Sequence, residues 1–247
     1  MNGVPMPREA QLASTLVELA DTLIDDFDVV ELLTLLSDRC VEVLDVGAAG
    51  IMLVAPDRGL RVMASSSEAM RVLELFEIQA QEGPCLDSFR TGLPVLCDDL
   101  SESDNEWPRF ASEALDAGFR SVQSLPMRSR GEVLGALNMF NVELGPMRAG
   151  DVIAAQAFAD VATIAILQQR VMREARLLTD QLNRALTSRI VIEQAKGIIS
   201  ERAGLDMEQA FALLRDHARR TNHRLSGLAE AVIAGQIQVA QLAGPDA

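Results

Sequence analysis

The sequence predicts an α+β domain, an antiparallel sheet with flanking helices, followed by a long helix that runs into an all-α module of three helices. Three observations carry that prediction. The hydrophobic period changes from helical to strand-like at Ala48 and returns to strands, between helices, up to about Val142. A stretch from 151 to 203 then holds no proline and a single glycine, Gly197. Charge, finally, is split along the chain: residues 1–183 carry fourteen arginines against twenty-nine acidic residues, whereas 184–225 carry eight basic residues against five acidic ones. A polyanionic body bearing one cationic module implies that the module meets a polyanion; charges alternating on solvated helices are the plainer alternative.

Residues 8–24 place Leu12, Leu16, Leu19 and Leu23 at spacings of four, three and four, the stripe of an amphipathic helix. Asp28 is positioned to cap a second helix, VVELLTLLSDRCVEVL, with Glu31 as the other half of a capping box. AAGIMLVA and LRVMASS, joined through Pro56-Asp57-Arg58-Gly59, read as a hairpin. EAMRVLELFEIQA is helical. Pro84 suits the first position of a short helix ending near Thr91 and Gly92, and Pro94-Val95-Leu96 forms a short strand. After the polar loop SESDNEWP, FASEALDA is a helix, and FRSVQSLPMRSRGEVLGALNMFNV is a strand pair turning at Ser129-Arg130-Gly131.

Within the proline-free stretch, Leu167, Val171, Ala175, Leu178, Leu182 and Leu186 are spaced 4-4-3-4-4. This eleven-residue repeat implies a nearly straight or slightly right-handed coiled coil. The stripe is read as the seam of a homodimer, with burial against the chain's own C-terminal helices as the alternative. Two shorter helices follow at about 207–220 and 226–238, capped by Asp206 and Ser226, after a helix stop at Gly204.

Composition narrows the function classes. At 247 residues, 49% hydrophobic and 23% charged, the chain has material for substantial cores, which excludes a disordered or fibrous protein. No run of 18 uninterrupted apolar residues occurs and the N-terminus lacks a signal-peptide pattern, so a soluble, cytoplasmic protein without membrane contact is expected. The cysteines, Cys40, Cys85 and Cys97, are odd in number and too sparse for a disulfide framework. Both histidines, His217 and His223, lie near the C-terminus, so no zinc set can be written. SESDNE lacks the alternating ligands and central glycine of a calcium loop and is read as solvated. No metal and no cofactor are expected.

The segment RIVIEQAKGII at 189–199, with EQAFALLR at 208–215, HARR at 217–220 and LAEAVI at 228–233, closely resembles the ANTAR domain, a three-helix RNA-binding module of bacterial transcription antiterminators. Small residues at Ala195, Gly197, Ala210, Ala218 and Ala229 suit helices that cross closely, and Ile192, Ile199, Phe211, Leu214 and Val232 are their apolar plugs. What remains exposed is basic, and Arg189, Lys196, Arg202, Arg215, Arg219, Arg220 and Arg224 are the expected RNA contacts. The resemblance implies binding of paired hairpin loops in nascent RNA, so that a competing terminator hairpin cannot form. Two loops read by two modules fit a dimer whose seam includes Leu167, Val171, Leu178, Leu182 and Leu186.

The region 12–167, with GPCLDSFRTGLPV, NEWPRFASEALDAGFRSVQSLPM and GEVLGALNMF, resembles the GAF domains that precede ANTAR in actinobacterial regulators. Arginine outnumbers lysine twenty-one to one, as a GC-rich genome would give. The expected partition is a GAF sensor domain at 8–165, a connecting coiled-coil helix at 151–183 and an ANTAR domain at 177–240. The GAF resemblance implies a pocket for an unidentified small molecule, lidded by 82–99 and 107–117, with Cys85, Trp107, Phe110, Phe119, Met127 and Met139 as lining residues or as ordinary core.

Cys85 opens a predicted helix, where the dipole can lower a thiol pKa, and could pair with Cys97; a small buried hydrophobe is the competing interpretation. Some GAF proteins reduce free methionine sulfoxide with pocket cysteines, but this chain lacks the resolving-cysteine pattern and has no histidine in that domain. A non-enzymatic, signal-responsive antiterminator is therefore expected, the alternatives being a GAF-regulated dimer that contacts DNA or RNA polymerase and, more remotely, a methionine-sulfoxide-reductase-like redox enzyme.

Overall fold

The computed structural model describes residues 6–22, 27–103 and 106–242, and the chain divides into two compact units, Met1–Arg170 and Val171–Ala247. The first unit opens with α1 (Arg8–Asp21) and α2 (Val29–Leu44). Thr15 and Leu19 are the buried face of α1, whereas Leu23 of the expected stripe lies outside the described residues. Asp28 caps α2 by accepting from the Val30 amide at 2.6 Å. Among the described residues Glu31 makes no return bond, so the expected capping box is only half formed.

Five strands follow: β1 (Ala48–Val54), β2 (Leu60–Ser65), β3 (Val95–Cys97), β4 (Ser121–Ser129) and β5 (Glu132–Asn141). They form one antiparallel sheet in the order β2-β1-β5-β4-β3. The predicted hairpins are β1–β2 and β4–β5. The second turns at Arg130 and Gly131, both with positive φ (51° and 87°), the backbone that matches the twist of paired strands. Gly135 lets β5 approach β1, since a Cβ there would lie 1.9 Å from the Met52 carbonyl oxygen.

Because side chains alternate across a strand, the sheet has two buried faces. Ile51, Leu125, Met127, Leu137 and Met139 pack with Leu19, Leu33 and Leu36 and with Phe158, Ala159 and Ala162 of α6 (Ala149–Ala203). The other face is covered by α3 (Glu68–Ala80), α4 (Pro84–Thr91) and α5 (Pro108–Asp116). Pro84 opens α4 and Gly92, at φ 66°, closes it, as expected. α6 is long and apolar enough over 18 residues to cross a bilayer, with half of that window buried inside the fold. Phe158, Ala162, Ala165 and Ile166 account for this apolarity as core residues of the first unit.

In the second unit, the end of α6 joins α7 (Met207–Arg220), α8 (Leu225–Ile233) and α9 (Val239–Leu242) around Ala195, Ile199, Ala210, Leu214, Ala218, Leu228, Ala229 and Val232. Gly204, at φ 67°, ends α6. Asp206 and Gln209 cap α7 reciprocally, at 2.8 and 3.1 Å. Three expectations are corrected. Ser226 is not the cap of the next helix: α8 begins at Leu225 with Arg224 as an extended N-cap, because Leu225 packs on the core and fixes the start. That helix ends at Ile233 before Gly235, at φ 69°, instead of at 238, and α9 follows. Gly197 is not a helix-crossing residue, since a Cβ there would meet nothing within 4 Å.

Candidate nucleic-acid interface and sensor core

Arg189, Arg202, Arg215, Arg219, Arg220 and Arg224 are exposed on the second unit. Among the described residues, Arg189, Arg202, Arg219 and Arg224 have no carboxylate within ion-pair distance, whereas Arg215 Nε lies 3.5 Å from Asp216. Unpaired guanidinium groups are available for charge-assisted bonds to phosphate. Lys196 differs from them: its side chain is only 16% exposed, and Nζ donates to both Glu193 carboxylate oxygens at 2.9 and 3.0 Å. It also sits 5.5 Å from the centroid of the Phe211 ring, and the Arg215 guanidinium sits 5.8 Å from the same centroid. Arg220 is engaged inside the module, where Nη2 donates to the Leu242 carbonyl at 2.6 Å and so ties α9 to α7.

The expected seam divides in two. Leu167 is partly buried against the core of the first unit. Val171, Leu178, Leu182 and Leu186 are 65, 58, 56 and 60% exposed, and Met172, Leu177 and Ile190 are exposed on the same helix. The alternative of burial beneath the C-terminal helices is not realised, because the packed core of the second unit begins at Val191.

The expected sensor residues are all buried but do not surround one space. Trp107, Phe110 and Phe119 share a cluster with Phe140, with Trp107 edge-on to Phe110 at 6.4 Å and Phe119 tilted on Phe140 at 5.1 Å. Met127 and Met139 lie on the opposite face of the sheet, and Cys85 packs separately with Met52 and Ala136. The lid elements are pinned: Trp107 Nε1 donates to Asp87 at 2.8 Å, and Glu82 accepts the Arg109 and Phe110 amides at the start of α5. A cleft of about 360 Å³ at the start of α6, lined by Asp45, Asn141, Glu143, Arg148 and Asp151, contains none of the expected lining residues.

Of the two readings of Cys85, the structure favours the small buried hydrophobe over the activated thiol. Burial pushes its thiol well above the ordinary range, and the carboxylates of Glu77 and Glu74 add to that, overriding the helix start. Cys97 packs in a different cluster, its Sγ 3.0 Å from Ser103 Oγ. Burial likewise pushes the Cys40 thiol up to about 12. Among the described residues no group of acidic, cysteine and histidine side chains could hold a metal; Asp104 and Asn105 of SESDNE lie outside them.

Sequence reasoning missed two buried carboxylates on α3. Glu74 accepts from Ser65 Oγ at 2.6 Å and from Asn138 Nδ2 at 3.2 Å, and Ser124 Oγ in turn donates to Asn138. Glu77 Oε1 accepts the Cys85 and Leu86 amides at 2.7 and 3.3 Å. Burial pushes Glu74 up to about 7 and Glu77 well above its ordinary value. The signal was present: Met70, Leu73, Glu74 and Glu77 occupy one helical stripe, which places both acids on the apolar face. Phe211, expected as a core plug, is instead half-buried beneath two cations; its i,i+4 spacing from Arg215 was the available clue.

The GAF domain family model matches residues 28–167, more than half of the chain, and the ANTAR domain model matches 180–233. Solved structures share the first fold at low identity. The GAF domains of phosphoenolpyruvate-protein phosphotransferases from Acinetobacter and Coxiella burnetii are 13% and 15% identical, with TM-scores of 0.52 and 0.53; each alignment covers 67% of this chain and 97% and 98% of theirs. Free methionine-R-sulfoxide reductase from Neisseria meningitidis, in complex with its substrate, is 16% identical with a TM-score of 0.54 over 70% of this chain and 98% of that one. At such identities the likeness carries the fold alone. No curated protein matches the chain. An α+β sensor fold joined to a small helical nucleic-acid module defines a regulator. The chain belongs to the GAF domain family and carries an ANTAR domain behind it, an arrangement that implies RNA-binding antitermination under a regulatory sensor and is typically non-enzymatic.

Proposed function

We propose that the protein is a signal-responsive transcription antiterminator of the cytoplasm, which binds paired hairpin loops in nascent RNA through residues 177–240 under control of the GAF domain at 8–165. The observation that carries this reading is the set of arginines without an acidic partner among the described residues, Arg189, Arg202, Arg219 and Arg224, on the one cationic module of an otherwise acidic chain. With Lys196 and Arg215 they supply the phosphate contacts that give nucleic-acid affinity through counterion release. RNA is favoured over DNA because hairpin loops offer splayed bases to guanidinium planes.

The exposed stripe from Val171 to Leu186 pairs two copies along the connecting helix at 151–183, so that the second hairpin loop is bound intramolecularly. The small-molecule input enters the first unit on the face covered by α3, α4 and α5, where Cys85, Trp107, Phe110 and Phe119 lie. The test is a mobility shift with a terminator-overlapping RNA leader, the same RNA with mutated loops, and duplex DNA of the same sequence. Binding of the first alone is the expected result. Equal binding of all three removes the antiterminator reading in favour of a DNA- or polymerase-directed regulator.

A further inference from the structure

Lys196 on α6 and Arg215 on α7 come from different helices, yet both cations lie within 6 Å of the centroid of one aromatic ring, that of Phe211. Two like charges converge on one place only where something offsets their repulsion. The ring quadrupole does so in part, worth more where the cation is partly desolvated, as Lys196 is. The Glu193 carboxylate does the rest, with both oxygens on Lys196 Nζ in the manner of an oxyanion. Glu193 is half exposed and one turn from Lys196, so the pair is weak and exchangeable in water. Next to it Gly197 leaves open space over the helix backbone, with nothing within 4 Å of where a Cβ would stand.

We propose that Lys196, Arg215 and the ring of Phe211 form a clasp for one backbone phosphate of RNA, and that the Glu193 carboxylate occupies its place in the free protein as an internal competitor. The inference rests on the RNA-binding reading and adds two roles to it. Phe211 is a positioning residue: its ring bridges two helices and holds two cations in register for a single anion. Glu193 sets the threshold that the incoming phosphate must overcome, because it has to leave Lys196 before the phosphate can engage. Entry exchanges one oxyanion for another on the same ammonium group, with no proton transferred.

The test uses the whole 247-residue chain and the leader RNA, titrated at several salt concentrations. Glu193→Gln is expected to tighten binding by about two- to five-fold, the range set by a surface ion pair. Glu201→Gln, the same charge change at an exposed carboxylate two turns further along α6, controls for net charge and is expected to give a smaller gain. In a Lys196→Gln background the gain from Glu193→Gln should disappear, because the carboxylate acts through that lysine. Phe211→Leu, with unchanged helix content and melting temperature, should weaken binding by a larger factor at low salt than at high salt, as removal of a phosphate clamp requires.

An equal gain from Glu193→Gln and Glu201→Gln, or a gain that survives in the Lys196→Gln background, overturns the clasp while leaving RNA binding in place. Failure of the unaltered chain to bind RNA at any salt concentration overturns the antiterminator reading and the clasp together.

Discussion

The Glu74 carboxylate on α3 accepts the Asn138 amide of β5 at 3.2 Å, in a site so close that a Cβ at Gly50 would lie 2.4 Å from its Oε1. The sheet has given up a side chain to hold an acid in its core. Burial pushes Glu74 up to about 7 from an ordinary 4.5, so the folded unit binds its proton more tightly than the unfolded chain does. A raised carboxyl pKa makes the stabilising contribution complete below about pH 4.5 and removes it progressively as pH rises through about 7. The effect is on the order of 3 kcal/mol between those limits. Melting temperatures followed from pH 5 to 8 are expected to fall, and Glu74→Gln to flatten that fall by removing the titrating group. A slope unchanged by the substitution would assign the pH dependence to Glu77 or elsewhere.

The exposed leucines make a separate prediction. Leu178 and Leu182 touch no core, so replacing both with aspartate should leave the fold of the single chain intact. In a paired helix the same change would desolvate carboxylates at the seam, at a cost of several kcal/mol. Sedimentation equilibrium should therefore show conversion from dimer to monomer with unchanged circular dichroism. A dimer mass that persists in the variant would place the contact away from this stripe.

Local signals were legible where a residue type dictates its own backbone. Arg130-Gly131 announced a hairpin turn, Pro84 a helix start, Asp206 a cap and Gly204 a stop, and each stands at the position read from the chain. Signals that depend on what packs opposite were not. Ser226 is a better cap than Arg224 by residue type, but the packing of partly buried Leu225 and buried Leu228 on the core moved the start of α8 upstream of it. Gly197 reads as a crossing residue in sequence and faces open space, because which helical face meets a neighbour is a tertiary decision. In the sensor half the aromatic residues were readable as apolar, but not the sheet face each would take, so Met127 and Met139 part from Trp107, Phe110 and Phe119.

All three cysteines are free and buried in different surroundings, which predicts inert thiols. The thiolate is the reactive species, and at Cys85 and Cys40 burial disfavours it strongly. Ellman's reagent at pH 8 should label none of them within minutes in the native chain and all three after unfolding. Rapid labelling of Cys85 in the native state, followed by a disulfide to Cys97, would return the redox-enzyme reading to contention.

Arg219 and Arg220 are neighbours on α7, about 100° apart around the helix, and the structure assigns them different work. Arg219 is exposed and, among the described residues, has no acidic partner, whereas Arg220 donates to the carbonyl of Leu242, whose side chain is fully buried. Arg219→Gln should therefore keep the melting temperature and weaken RNA binding, with the log–log salt slope falling by roughly 0.7 to 0.9 because one phosphate is no longer neutralised. Arg220→Gln should do the reverse. Removing a charge-assisted bond that anchors α9 costs about 1.5 to 3 kcal/mol, so the second unit melts earlier while the salt slope of the folded fraction stays where it was. The two substitutions make the same change in net charge, so long-range electrostatics cannot separate them and only the direction each side chain faces can. A slope that drops for Arg220→Gln at normal stability would mean that the bond to Leu242 is surrendered when RNA arrives.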